Sequence, residues 1–191
     1  LADRDRMMRT PDTRRPRARR RGAVTIWTIL CLPLLMTILF GVAEVGRLWH
    51  ARTQLENAVE AAALAAVQEW AERGGLAKNL PSALEAGRAY AEANVVQGLP
   101  VRLGDRQSVR SVAWSFGSAA PRGAGYDFTA NPDASSQFAV VLSASVRVAR
   151  LCRPLFGATL GETTVTATTA AYYDAKDTPP RPRLVRINAD R

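Results

Sequence analysis

Residues 23–43, AVTIWTILCLPLLMTILFGVA, run for 21 positions without a charged side chain. As a helix rising about 1.5 Å per residue, the run reaches roughly 31 Å, close to the hydrocarbon thickness of a bilayer. It reads as a membrane span. Before it, Arg4, Arg6, Arg9, Arg14, Arg15, Arg17, Arg19, Arg20 and Arg21 face only Asp3, Asp5 and Asp12, so residues 1–22 form a basic tail of net charge +6. Residues 44–73 instead hold five glutamates against three arginines. Positive flanks stay on the cytoplasmic side, which predicts a single-pass protein with residues 1–22 inside and residues from Glu44 onward outside. The competing reading is a cleaved export signal ending at Ala43, after the small residues Gly41 and Val42. The run exceeds the usual apolar region of about 7–15 residues, and a helical pattern continues through the cut, which favours an anchor.

That pattern extends outward from the span. Val45, Leu48, Arg52, Leu55, Val59, Ala62 and Ala66 recur at spacings of three and four, tracing one stripe on an amphipathic helix over residues 44–73. The stripe is narrow and rich in alanine. Small side chains let a neighbouring helix approach closely, so Leu48, Leu55, Val59, Ala62 and Ala66 are predicted to contact a partner helix. Enlarging Ala62 and Ala66 is expected to block that partner without unfolding the chain. Glu44, an acid near hydrocarbon, is expected to pair with a basic group, either on a partner or on Arg47 one turn away.

Gly74 and Gly75 stop this helix. A second is predicted from Ser82 to about Gln97, with Ser82 and Glu85 as a capping box and Gly98 and Pro100 beyond its end. Thereafter the period changes to two. Val112, Trp114 and Phe116 alternate with small or polar residues, as do the even positions from Phe138 to Val148 and the odd positions from Val165 to Ala171, so three strands are expected. Residues from Pro121 to Ser136 read as a long loop and residues 154–161 as a tighter connection. Residues 174–191, with three prolines and little to bury, read as disordered. The expected class is α+β: a single N-terminal transmembrane helix extended into an amphipathic helix, then a small pilin-like domain over residues 82–173 with a helix and an antiparallel sheet.

Composition narrows the chemistry. The tail holds most of the formal charge of +9, and beside a membrane it attracts lipid headgroups; no aromatic stacking platform accompanies it, so nucleic acid is not expected as a partner. Cys31 lies in the span and Cys152 far beyond it, so no internal disulfide is expected and Cys152 is read as a core residue. The single histidine, His50, has no ligand-spaced companions, and the threonines near 163–169 have no base beside them. No catalytic residue, metal site or cofactor is predicted.

Arg20-Arg21-Gly22 before the span, Glu44-Val45-Gly46-Arg47 after it, and residues 51–66, ARTQLENAVEAAALAA, together resemble the N-terminal module of TadE/TadG-like Flp pilus-assembly proteins. Pro154-Leu155-Phe156-Gly157 and residues 165–171, VTATTAA, resemble the last strand of TadG-like ectodomains. The resemblance implies a bacterial inner-membrane protein and a non-enzymatic role in Tad pilus assembly. It also implies other Tad proteins and pilins as partners in a hetero-oligomeric assembly. Either a minor pilin-like subunit or an assembly factor fits. Pseudopilin-like members are cut after the glycine and carry glutamate five residues later; a cut after Gly22 would place Trp27 there, so the tail is expected to be retained. The alternative class is an exported enzyme or ligand-binding domain on an N-terminal anchor.

Overall fold

A computed structural model of the chain describes residues 21–105, 109–134, 136–150 and 162–188. The basic tail before Arg21, Cys152 and the connection at 154–161 lie outside the described residues. The described residues fall into two separate units, one up to Gly41 and one from Val42 onward. Helix α1 (Arg21–Glu72) supplies the described part of the first. There its apolar side chains, Ile26, Leu30, Leu34 and Ile38 among them, are exposed on all sides. A helix apolar all round needs an apolar solvent, and this one is long enough to cross a membrane. Pro33 is accommodated within it, and the Thr37 hydroxyl donates to the Pro33 carbonyl at 2.9 Å.

In the second unit the α+β class expected from the sequence is observed. Past residue 50 the same helix presents a broad buried face, with Ala51, Leu55, Ala58, Val59, Ala62, Ala63, Ala66, Val67 and Trp70 all inaccessible to solvent. It ends where Gly74 and Gly75 take positive φ values of 86° and 67°. A side chain on Gly75 would collide with the Phe138 ring, so glycine is required there for space as well as for backbone angle. Trp70 anchors the junction: its rings meet Phe116 at 5.3 Å and Phe138 at 5.5 Å, both edge-on, and its indole N–H donates to the Leu76 carbonyl.

A 3-10 turn (Ala77–Asn79) leads into α2 (Leu80–Glu92). The expected capping box does not form. Pro81 occupies the first turn, where its missing N–H costs nothing, so the helix starts two residues early and Ser82 lies inside it. It also ends sooner than predicted, because β-branched Val95 and Val96 leave it for a small hairpin of β1 (Val95–Val96) and β2 (Leu99–Pro100). Gln97 and Gly98 form its two-residue turn, with φ of 53° and 82°; Gly98 therefore serves the hairpin rather than a helix stop.

The main sheet contains β3 (Ser111–Arg122), β4 (Gly125–Ala130), β5 (Gln137–Val148), β6 (Thr163–Asp174) and β7 (Arg183–Leu184) in the order β4-β3-β5-β6-β7, all antiparallel. The alternation at Val112 to Phe116, Phe138 to Val148 and Val165 to Ala171 places these residues on the face that packs against α1. Residues 121–136, expected as a loop, instead include the end of β3 and all of β4, where Tyr126 and Phe128 alternate with polar residues around the Gly123 turn. The segment from Asp174 to Asn188 is likewise not disordered. Val185 N–H donates to the Ala170 carbonyl on β6, and one residue later the Arg186 carbonyl accepts from Tyr126 on β4. One peptide unit cannot bridge a flat sheet from edge to edge, so the sheet curls until β6 and β4 meet this terminal segment. Val185 and Ile187 then cover Ala119, Ala139 and Tyr172 as a second small core.

The charged and phenolic groups around this closure respond to pH. The Asn188 amide, at 2.7 Å, and Arg122 hold the Asp127 carboxyl below its ordinary value. Tyr172 goes the other way: burial, and then its bond to Asp174, push it up to about 12 from 10.0. A raised folded pKa stabilises fully below the unfolded value and is lost as pH rises. The thermal stability of the chain should therefore fall between about pH 10 and about pH 12 by a step that Tyr172→Phe removes. Identical alkaline melting profiles for the two proteins would contradict this closure.

Candidate functional site

The alanine stripe does receive a helix, and that helix is the chain's own α2. A Cβ added to Gly87 of α2 would lie 3.0 Å from the Ala62 carbonyl, 3.2 Å from the Ala66 Cβ and 2.6 Å from the Trp114 ring. Gly87, Ala62 and Ala66 are thus the small residues on both sides of one close crossing. Ala83 and Ala91, one turn to either side of Gly87, are buried with it. Leu55 and Val59 lie fully inside the core. The expected partner face at Leu55, Val59, Ala62 and Ala66 is therefore closed within the same chain. The physical reason is plain: small side chains specify close approach but not whose helix approaches.

Leu48 and Glu44 are half-buried, and Leu48 packs on the edge of the core. Arg47, considered as a mate for Glu44, donates to the Gln97 side chain at 2.8 Å. Gln54 accepts from the Gln97 main-chain N–H at 2.9 Å, so the turn of the β1–β2 hairpin is clasped between Arg47 and Gln54 of α1. Gly22 lies in the first turn of α1 as observed.

What α1 leaves outside is a different stripe. Val45 is 64% exposed and Trp49 75%, and one further turn on, Arg52 pairs with Glu56 at 2.9 Å. These residues stand at i, i+4, i+7 and i+11. Together with Thr163–Thr166 at the start of β6 they line a groove of about 710 Å³. The apolar period of the sequence includes Val45 and Leu48 in the same run as Leu55, so periodicity alone does not separate this open face from the closed one. The discriminating signal is Trp49, a large ring off the buried register.

Among the described residues no group of three His, Cys, Asp or Glu side chains could hold a metal ion. His50 lies 3.0 Å from the Gln54 side-chain amide on the helix surface, and Ser145, the buried polar side chain of the sheet, bonds to Ser111. The crossing of α1 and α2 yields a direct test. Ala62→Leu with Ala66→Leu should destabilise the chain, at about 1–3 kcal/mol per overpacked site, and Gly87→Val should do likewise. A melting temperature unchanged in both variants would mean that α2 does not dock there.

Residues 22–64 match the family model of TadE-like proteins. The matched segment covers the apolar span and most of the buried face of α1, and stops before Trp70. No curated protein and no solved structure matches the chain. Over those residues, which hold the apolar run and the alanine-rich part of α1, the chain is similar to TadE-like proteins.

Proposed function

We propose that the chain is a non-enzymatic, membrane-anchored component of Tad pilus assembly, held in the bacterial inner membrane with residues 1–22 in the cytoplasm and residues 44–191 outside. The observation that carries this reading is the extent of the TadE-like match, which covers both the anchor and the helix around which the outer domain's core is built. A module that is anchor at one end and core at the other serves to present a folded domain at the membrane. The orientation is supported by the nine arginines before the span. Its working surface is then a binding surface offered to other Tad components, as a minor pilin-like subunit or as an assembly factor.

Deleting the gene should abolish Flp piliation, with restoration by the full chain; normal piliation in the deletion strain would overturn the reading. Protease added to right-side-out spheroplasts should digest residues beyond 44 and spare the arginine tail, and a protected outer domain would reverse the orientation. The mature protein should retain that tail, since Trp27 stands where pseudopilin-like members carry glutamate. A terminal sequence beginning at Ala23 would place it with the processed class instead.

A further inference from the structure

Among the described residues, no strand pairs with the outer edge of β6 over residues 163–169. β7 pairs only with Ala171 and Tyr172, and the chain then turns away toward β4 after the bond from Val185 to Ala170. That bond also fixes which residues face outward. Ala170 turns its carbonyl to the β7 side, and in an antiparallel ladder main-chain groups alternate sides, so the even-numbered residues of β6 face away from β5. The same parity holds across the sheet, where Ala175 N–H, an odd position, donates to Ser136 on the β5 side. Thr164, Thr166 and Thr168 therefore point their N–H and C=O groups out of the sheet, with no main-chain partner among the described residues.

Natural edges of this length are normally guarded by charge, proline or a bulge. From Thr163 to Tyr173 there is neither a charge nor a proline, and the register with β5 is unbroken over the whole strand. The edge is also accessible. The 710 Å³ groove opens along residues 163–166, walled by Val45, Leu48 and Trp49, and a second hollow of about 530 Å³ continues beside residues 168–170 and Glu60. β7 shows that an extended segment fits this edge, because the chain already lays one on its far end.

We propose that the open edge of β6 receives an extended segment of another protein chain as an added strand, in line with β7. Main-chain hydrogen bonds to Thr164, Thr166 and Thr168 would hold it, and alternate side chains would set the fit. Those on the α1 side face Val45, Leu48 and Trp49 and are apolar. Those on the opposite side meet Arg110, which donates to the hydroxyl of the even-numbered Thr164, and are neutral or acidic. A second copy of this chain does not suit the edge. Twofold pairing of two β6 edges is antiparallel, and β6 begins beside Val45, so the two residue-44 ends would leave on opposite sides of the pair and could not enter one membrane. The surface follows from the folded unit alone and does not depend on the pilus reading.

The test uses the full chain in lipid nanodiscs with a guest strand fused behind Arg191. The guest is nine residues, valine alternating with threonine and glutamate at each end, on a flexible linker of about 15 residues that reaches roughly 20 Å. Amide hydrogen exchange at Thr164, Thr166 and Thr168 should slow about tenfold or more relative to a fusion whose valines are replaced by proline, while Val165 and Ala167, already paired with β5, should not change. Thr166→Pro removes only an outward N–H, so it should leave the melting temperature nearly unaltered and abolish the guest's protection of Thr164 and Thr168; Val165→Pro, which takes an N–H from the β5 ladder, should unfold the sheet. If the even-numbered amides exchange as slowly as the odd ones without a guest, or if the guest leaves them unprotected, the edge is not a strand-accepting site and the proposal fails.

Discussion

Burial of one face of α1 is the interaction on which the rest of the domain depends. Nine of its residues between Ala51 and Trp70 are fully inaccessible, and they meet both other layers: α2 at Ala62 and Ala66, and the sheet where Trp70 packs on Phe116 and Phe138. Removing methylenes from such a core forfeits apolar burial at roughly 25 cal/mol per Å². Adding them separates two helices whose spacing is set by glycine and alanine. Either change acts on all layers at once, because the helix is the one element they share. The apolar segment before residue 44 has no such constraint within the described chain, since its side chains face outward throughout.

Much of this was legible in the sequence because two periods carry it. An uncharged run of 21 residues, a three-and-four repeat and a change to alternation after residue 110 suffice for an apolar helix, a packed helix and a sheet. The destination of the alanine stripe was not legible. Close approach is encoded locally by Ala62 and Ala66, whereas the approaching surface is encoded at Gly87, more than 20 residues away, with no pattern linking the two. The period of the second helix puts Gly87 and Ala91 on its packing face, but nothing in that period says which surface the face packs against. Trp114 completes the site from a third element.

The terminal segment departs from its compositional expectation for a related reason. Three prolines between 174 and 191 argue against regular structure, and past the end of β6 only Arg183 and Leu184 form a strand among the described residues. Yet Val185, Ile187 and Asn188 need no long strand to matter. Two apolar side chains fill the second core and one amide bonds to Asp127 and to the Arg122 carbonyl. Local composition describes what a segment could form alone, and this one is ordered by a surface assembled from residues 119, 139 and 172.

These two closures explain which surfaces remain. α2 occupies the small-residue crossing and the terminal segment covers the polar side of the sheet near Tyr172, so neither is offered to another chain. The coverage is uneven along β6: β7 protects its last turn of pairing while the threonine-rich start stays bare. Threonine suits such a position, being β-branched enough to keep the strand extended and polar enough to leave it wetted. A guarded edge would carry a lysine or a proline among those seven residues, at little cost to a strand whose even side chains are exposed. Their absence, next to a helix face where Val45 and Trp49 also stand uncovered, concentrates unpartnered main chain and unpartnered apolar surface on the end of the domain that adjoins residue 44.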